Sequence, residues 1–142
     1  MVENPGSFEG TVVSGTGAGA YFVGLGWVRR EIQRVVGFDP YPGTLNLRLL
    51  SDEALSRWGG IRKEAGTPLS SPEPGVCGGR LIPALVGGLI PAAVVVPDVT
   101  RWGEELLEIV APVHLRSRLN LKDGDRLRLQ MPWDGEGRWP KT

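Results

Sequence analysis

Hydrophobic residues along this chain fall into short runs punctuated by Gly and Pro, with one clear exception of helical period. Short apolar runs bounded by turn residues predict a β-rich domain. The expected strands are Phe8–Val13, Tyr21–Gly24, Thr44–Leu50, Leu81–Val86, Ala92–Val96, Leu106–Ala111 and Arg126–Met131. Thr44–Leu50 alternates most cleanly. Leu45, Leu47 and Leu49 take one face, and Thr44 and Asn46 take the other, because successive side chains in a strand point to opposite sides. The exception is Trp27–Val36, where Val28, Ile32, Val35 and Val36 recur on one side and Arg29, Arg30, Gln33 and Arg34 occupy the other. Gly37 can end that helix as a left-handed cap. A shorter helical turn is expected over Val113–Leu119, with Leu115 and Leu119 as an i,i+4 pair, followed by a polar turn over Asn120–Asp125. Arg57–Gly75, rich in Gly, Ser and Pro, shows no period and reads as a long loop. The stretch from Trp133 to Thr142 is polar apart from two Trp and reads as a loosely attached tail.

Composition narrows this picture. With 142 residues, 41% of them hydrophobic and 23% charged, the chain has material for one domain (residues 1–142) around one sizeable core. Its 16 basic and 16 acidic side chains cancel, so no global field draws it to nucleic acid or anionic lipid. Cys77 is the single cysteine, which excludes an intramolecular disulfide and a thiolate cluster and makes a reducing cytoplasm the simplest location. Met1–Phe8 has no basic or apolar leader pattern, and the apolar runs are too short for a membrane span.

Several constellations could carry chemistry. Ser14–Ala20 follows a strand and has Gly at alternate positions, which lets backbone N–H groups approach an anion closely; a plain structural turn has the same composition. No Gly-Lys-Ser/Thr follows, so it is not a Walker loop. Thr44 and Asn46 place a hydroxyl and an amide oxygen side by side after the rigid Pro40-Tyr41-Pro42-Gly43 turn, a pair suited to a hard cation such as Mg2+ and equally ordinary at the start of a strand. Glu108 sits inside an apolar run, where a carboxylate either turns outward or is held by partners. Arg116 could meet a phosphate or remain a solvated surface cation, and Thr100 could be a turn hydroxyl. His114 is the only histidine, so a His-based metal site is excluded, and no Ser-His-Asp or Cys-His pairing has support. An enzyme built this way must work by positioning and electrostatics, as phosphoryl transfer does.

Taken in order, GTVVSGTGAGAYFV, GFDPYPGTLNLRL, AAVVVPDVT, LEIVAPVHLR and LNLKDGDRLRL resemble the archaeal CTP-dependent riboflavin kinases over roughly residues 9 to 131. The resemblance implies a mainly β fold, a six-stranded cradle-loop barrel with one or two short helices. It implies transfer of the CTP γ-phosphate to the ribityl 5'-hydroxyl of riboflavin, giving FMN and CDP. By the same resemblance Thr16, Gly17, Ala18, Gly19, Ala20 and Tyr21 form the nucleotide loop, and Val113, His114, Leu115 and Arg116 a second nucleotide-contacting segment. Thr44 and Asn46 match the Mg2+ ligands, and Thr100 and Glu108 the flavin contacts. The expected partners are the small molecules riboflavin and CTP, with Mg2+ as cofactor, a monomeric state, and neither nucleic acid nor membrane. Two departures stand out. The family's loop often carries an acidic and a basic side chain where Ala18 and Ala20 stand here, and nothing in these residues matches the helix-turn-helix domain that many members carry. The rival readings are a flavin-binding module without kinase activity and, because LNLKDGDRLRL resembles a swapped-hairpin motif, a nucleic-acid-binding barrel.

Overall fold

The computed structural model describes residues 6–15, 18–72, 78–97 and 106–131, with the backbone alone for 18–20. In chain order the elements are β1 (Ser7–Val13), α1 (Ala18–Gly24), α2 (Gly26–Val36), β2 (Leu45–Leu49), α3 (Asp52–Glu64), β3 (Thr67–Pro68), β4 (Gly79–Val86), β5 (Ile90–Pro97), β6 (Leu106–Val110), α4 (Leu115–Arg118) and β7 (Arg126–Gln130). Antiparallel pairing runs β4-β5-β6-β2-β1-β7, and β7 returns to β4 through Leu85↔Gln130 and Val86↔Leu129. Six strands therefore close into the expected barrel, and closure removes the unpaired edges of an open sheet. The two-residue β3 lies alongside β4 outside the ring.

The period-2 pattern builds two cores from the two faces of one sheet. Inward-facing Phe8, Val12, Leu45, Leu47, Leu49, Ile82, Val94, Leu107, Ile109 and Leu129 fill the barrel. On β4, β5 and β6 the outward-facing Leu81, Ala93, Val95 and Val110 are buried as well, beneath Val23 of α1 and Val28 and Ile32 of α2. Strands covered on both faces read as continuous apolar runs, which is why AAVVV shows no alternation. Each of the buried Leu, Ile and Val side chains contributes about 1.5–3 kcal/mol on burial. Gly37 ends α2 at φ 80°, with its N–H bonded to the Gln33 carbonyl, as its placement predicted.

Two expectations fail. Tyr21–Gly24 is helical rather than extended, because α1 supplies the cover that the outer faces of β4, β5 and β6 require. The first part of Arg57–Gly75 is not a loop. It lies in α3, whose Ala54, Trp58 and Ile61 enter the barrel core at helical spacing while Ser51 Oγ accepts from the Ala54 N–H at 3.0 Å. Trp58 meets the Phe8 ring edge-on with centroids 6.4 Å apart, and the Arg57 guanidinium lies 4.2 Å above that ring. Residues 73–75 of that stretch and the expected tail at 133–142 lie outside the described residues. No described helix is long and apolar enough to cross a membrane.

Candidate active site

The site is assembled where β1 ends and β2 begins, on the side of the barrel away from α3. The turn entering β2 is held from two directions. Arg29 donates to both carboxylate oxygens of Asp39 at 2.6 Å, and the Tyr41 N–H bonds to the Ala111 carbonyl at 2.8 Å. The Tyr41 ring stacks on the His114 imidazole with centroids 4.8 Å apart and planes 28° apart, and His114 Nδ1 lies 2.6 Å from Ser117 Oγ. Between this turn and the segment after β6 lies a cleft of about 270 Å³, bordered by Thr44, Leu45, Ala111, Val113, His114 and Arg116 among others.

Two of the sequence-predicted groups therefore share one cleft. Thr44 faces the Val113–Arg116 segment across it. Leu115 is buried in the barrel core and Val113 packs against that core, so a ligand meets Leu115 through its main chain, whereas His114 and Arg116 have accessible side chains.

Asn46 and Glu108 form the adjoining part of the site. They are directly opposed Cα partners on β2 and β6, and Asn46 is also opposed to Val13 on β1. Opposed residues project to the same face, here the outer one, since Leu45, Leu47, Leu107 and Ile109 point into the barrel. Glu108 is 9% exposed, the only buried charged residue among those described. Gly15, just after β1, lies against the Asn46 side chain. A Cβ placed on Gly15 would overlap the Asn46 amide nitrogen and come within 3.0 Å of its Cγ. Of the rest of that loop, Thr16 and Gly17 lie outside the described residues, Ala18, Gly19 and Ala20 open α1, and Tyr21 is exposed on α1. Thr100 also lies outside the described residues.

Sequence reasoning missed Ser14 and Asp123. Asp123 Oδ2 accepts from Ser14 Oγ at 2.7 Å, and Asp123 Oδ1 accepts from Arg116 Nη2 at 2.7 Å; the same Nη2 reaches the Val13 carbonyl at 3.3 Å. The Ser14 hydroxyl first, then the Arg116 guanidinium, hold the Asp123 carboxyl below the usual aspartate range. Residues 109 apart in the chain meet here, a proximity for which the polar turn alone gives no signal.

The donor chemistry fits Mg2+ in one specific way. Among the described residues no group of three or more His, Cys, Asp or Glu side chains could hold a metal. Thr44 and Asn46 offer hard neutral oxygens on half-buried side chains two residues apart, beside the glycine loop, which matches a cation whose remaining ligands are phosphate and water.

The family model for CTP-dependent riboflavin kinases, described as a domain of unknown function, DUF120, matches residues 12–131. The chain is 37% identical over 128 residues to the riboflavin kinase of Saccharolobus solfataricus, covering 87% of this chain and 72% of that protein. It is 37% identical over 131 residues to the riboflavin kinase of Aeropyrum pernix, covering 89% of this chain and 96% of that one. The riboflavin kinase of Methanosarcina barkeri is 39% identical over 132 residues, and there the chain spans 57% of the relative's length. Gly15 against Asn46, Glu108 opposed to it and the 113–116 segment across the cleft all lie within the matched residues, and the chain belongs to the CTP-dependent riboflavin kinase family.

Proposed function

We propose that this chain phosphorylates riboflavin with CTP, its 5'-hydroxyl oxygen forming a bond to the γ-phosphorus as the bond from that phosphorus to the β,γ-bridging oxygen breaks. The products are FMN and CDP, and the hydroxyl proton leaves to solvent. The observation that carries the reading is the adjacency of Gly15, Asn46 and Glu108, since in-line phosphoryl transfer needs nucleotide, cation and acceptor side by side. Gly15 immediately precedes the Thr16–Tyr21 loop assigned to the nucleotide, Asn46 with Thr44 is assigned to Mg2+, and Glu108 to the flavin. When bound, Mg2+ would neutralise phosphate charge as it builds on the leaving CDP. Glu108, buried in an apolar neighbourhood and opposed to Asn46, suits the orientation of a ribityl hydroxyl. Arg116 supplies positive charge to the polyphosphate from the facing segment.

The test is FMN formation from riboflavin and Mg2+ with CTP, ATP, GTP and UTP in separate reactions, followed by chromatography. FMN with CTP is the expected result. Because Ala18 and Ala20 stand where the family's loop often carries two charged side chains, activity with several nucleotides would mean that the simplified loop has relaxed base choice. Thr44→Ala combined with Asn46→Ala should lower turnover by at least about 100-fold while riboflavin binding persists. No FMN from any nucleotide, with riboflavin still bound, would replace the kinase by a flavin-binding module.

A further inference from the structure

We infer that Asp123 is a positioning residue for the nucleotide, tying Ser14, at the root of the glycine loop, and the Arg116 segment into one preassembled phosphate-binding unit. The inference rests on the kinase reading above and concerns how its nucleotide half is built.

The turn between α4 and β7 is rigid and rigidly placed. Asn120 and Gly124 take positive φ of 53° and 95°, and the Asp125 carboxylate accepts from the Lys122 N–H at 2.9 Å. Gly124 N–H bonds to the Val12 carbonyl and Val12 N–H to the Asp125 carbonyl, each at 2.8 Å, so the turn is stitched to the end of β1. Asp123 therefore stands at a fixed place beside Ser14 and the Val13 carbonyl. From there one carboxylate uses one oxygen for each neighbour, Ser14 at the root of the glycine loop and Arg116 at the border of the cleft.

The chemistry of these contacts selects an ionised carboxylate. Both partners are donors, so both Asp123 oxygens must accept. Arg116 spends only Nη2 on Asp123 and Val13; its Nε and Nη1 make no hydrogen bond to the described residues and remain for an anionic ligand. Holding a guanidinium by one edge removes the rotamer freedom that a phosphate would otherwise have to freeze on binding. Ser14 precedes Gly15, which abuts Asn46, so the same clamp also fixes Gly15 against Asn46. Asp123 itself is anionic and would repel phosphate if Arg116 did not stand against it, so the two residues should act as a unit.

Steady-state kinetics of the full chain tests this, varying CTP at saturating riboflavin and then the reverse. Asp123→Asn keeps size but puts an NH2 group against one donor. It should raise the KM for CTP and the Kd for CDP by about tenfold, change kcat by less than about threefold and leave riboflavin affinity unchanged. Asp123→Glu should restore part of the loss, since the charge returns on a longer arm. Adding Asp123→Asn to Arg116→Gln should cost little beyond Arg116→Gln alone. Glu31→Gln, whose bonds go to Arg34 and Ser70 rather than to Asp123 or the cleft, serves as the control and should leave the KM for CTP unmoved. An unchanged KM for CTP in Asp123→Asn, or an equal rise for both substrates, overturns the inference. If the native chain forms no FMN, the kinase reading falls separately, and calorimetry with CDP then decides. Weaker CDP binding by Asp123→Asn sustains the clamp, whereas equal binding, or no CDP binding by the native chain, overturns it.

Discussion

Gly15 and Gly10 show how one residue type serves different ends within a few positions. A Cβ on Gly10 would meet the main-chain carbonyl of Arg48 at 2.6 Å, an obstacle that cannot turn aside, so Gly10 is required for close packing of β1 on β2. A Cβ on Gly15 would instead meet the end of the Asn46 side chain, which can rotate away. Gly15→Ala should therefore cost no more than about 1 kcal/mol of stability, yet lower FMN formation by about tenfold or more by displacing the Asn46 amide. Thermal melts and the chromatographic assay on the same preparation separate the two effects, and a fully active Gly15→Ala would show that the Asn46 position is immaterial. Much of this residue-level picture is readable in the sequence. The alternation from Thr44 to Leu49 places Thr44 and Asn46 opposite the leucines, whereas the apolar run around Glu108 singles out that carboxylate without deciding between an outward and a partnered position. Ser14 and Asp123 are not readable, because their meeting depends on strand pairing between chain ends rather than on any local pattern.

The elements that escaped sequence reading were decided by what they cover. Tyr21-Phe22-Val23 has strand-like composition in a short run, and only the apolar outer faces of β4, β5 and β6 make a helix the better solution. For α3 the signals were present: Ser51 as N-cap, Asp52 and Glu53 in the first turn, Arg62 and Lys63 in the last, and Ala54, Trp58 and Ile61 at helical spacing. Gly59 and Gly60 masked them by lowering helix propensity mid-element. Downstream of α3, the chain beyond β3 is held to α2 by the buried Leu69 and by the Glu31 carboxylate. Glu31 accepts from Arg34 Nε and Nη2 at 2.8 and 3.0 Å and from the Ser70 N–H at 2.7 Å. Arg34 first, then the Ser70 amide, lower its pKa from 4.5 to about 2. Because the folded value lies below the unfolded one, the stabilisation is complete above the unfolded value of 4.5 and fades as pH falls through about 2. The Tm of Glu31→Gln should thus lie below that of the native chain near neutral pH, with the gap narrowing progressively below about pH 4.5. Circular dichroism melts across that range check it, and a gap that does not narrow in acid would assign the effect to packing rather than charge.

At the scale of the whole molecule, the barrel packs its interior with apolar side chains and gathers the candidate site residues outside it. The candidate site occupies the outer face, where Gly15 packs against Asn46 beside β1, β2 and β6, extended by the cleft beyond β6. Placing the site outside means that its charged ligands meet water until they are bound together. Thr44 and Asn46 carry no formal charge, and no described acidic cluster supplements them, so the protein alone competes poorly with the hydration shell of Mg2+. Nucleotide phosphates change that balance by adding charged oxygens to the same cation. The two ligands should therefore be thermodynamically linked, each raising the affinity for the other by the same factor. Thermal melts of the native chain should show almost no shift with millimolar Mg2+ alone, a modest shift with CDP alone, and a shift with both that exceeds their sum. A ligand at about 100 times its Kd adds about 2.7 kcal/mol, which for a domain of this size raises Tm by several degrees. Thr44→Ala with Asn46→Ala should abolish the excess while sparing the CDP-only shift, since the glycine loop and Arg116 would remain. A full shift from Mg2+ alone would mean that the chain carries a complete cation cage of its own, and the shared Mg2+-nucleotide site would have to be abandoned.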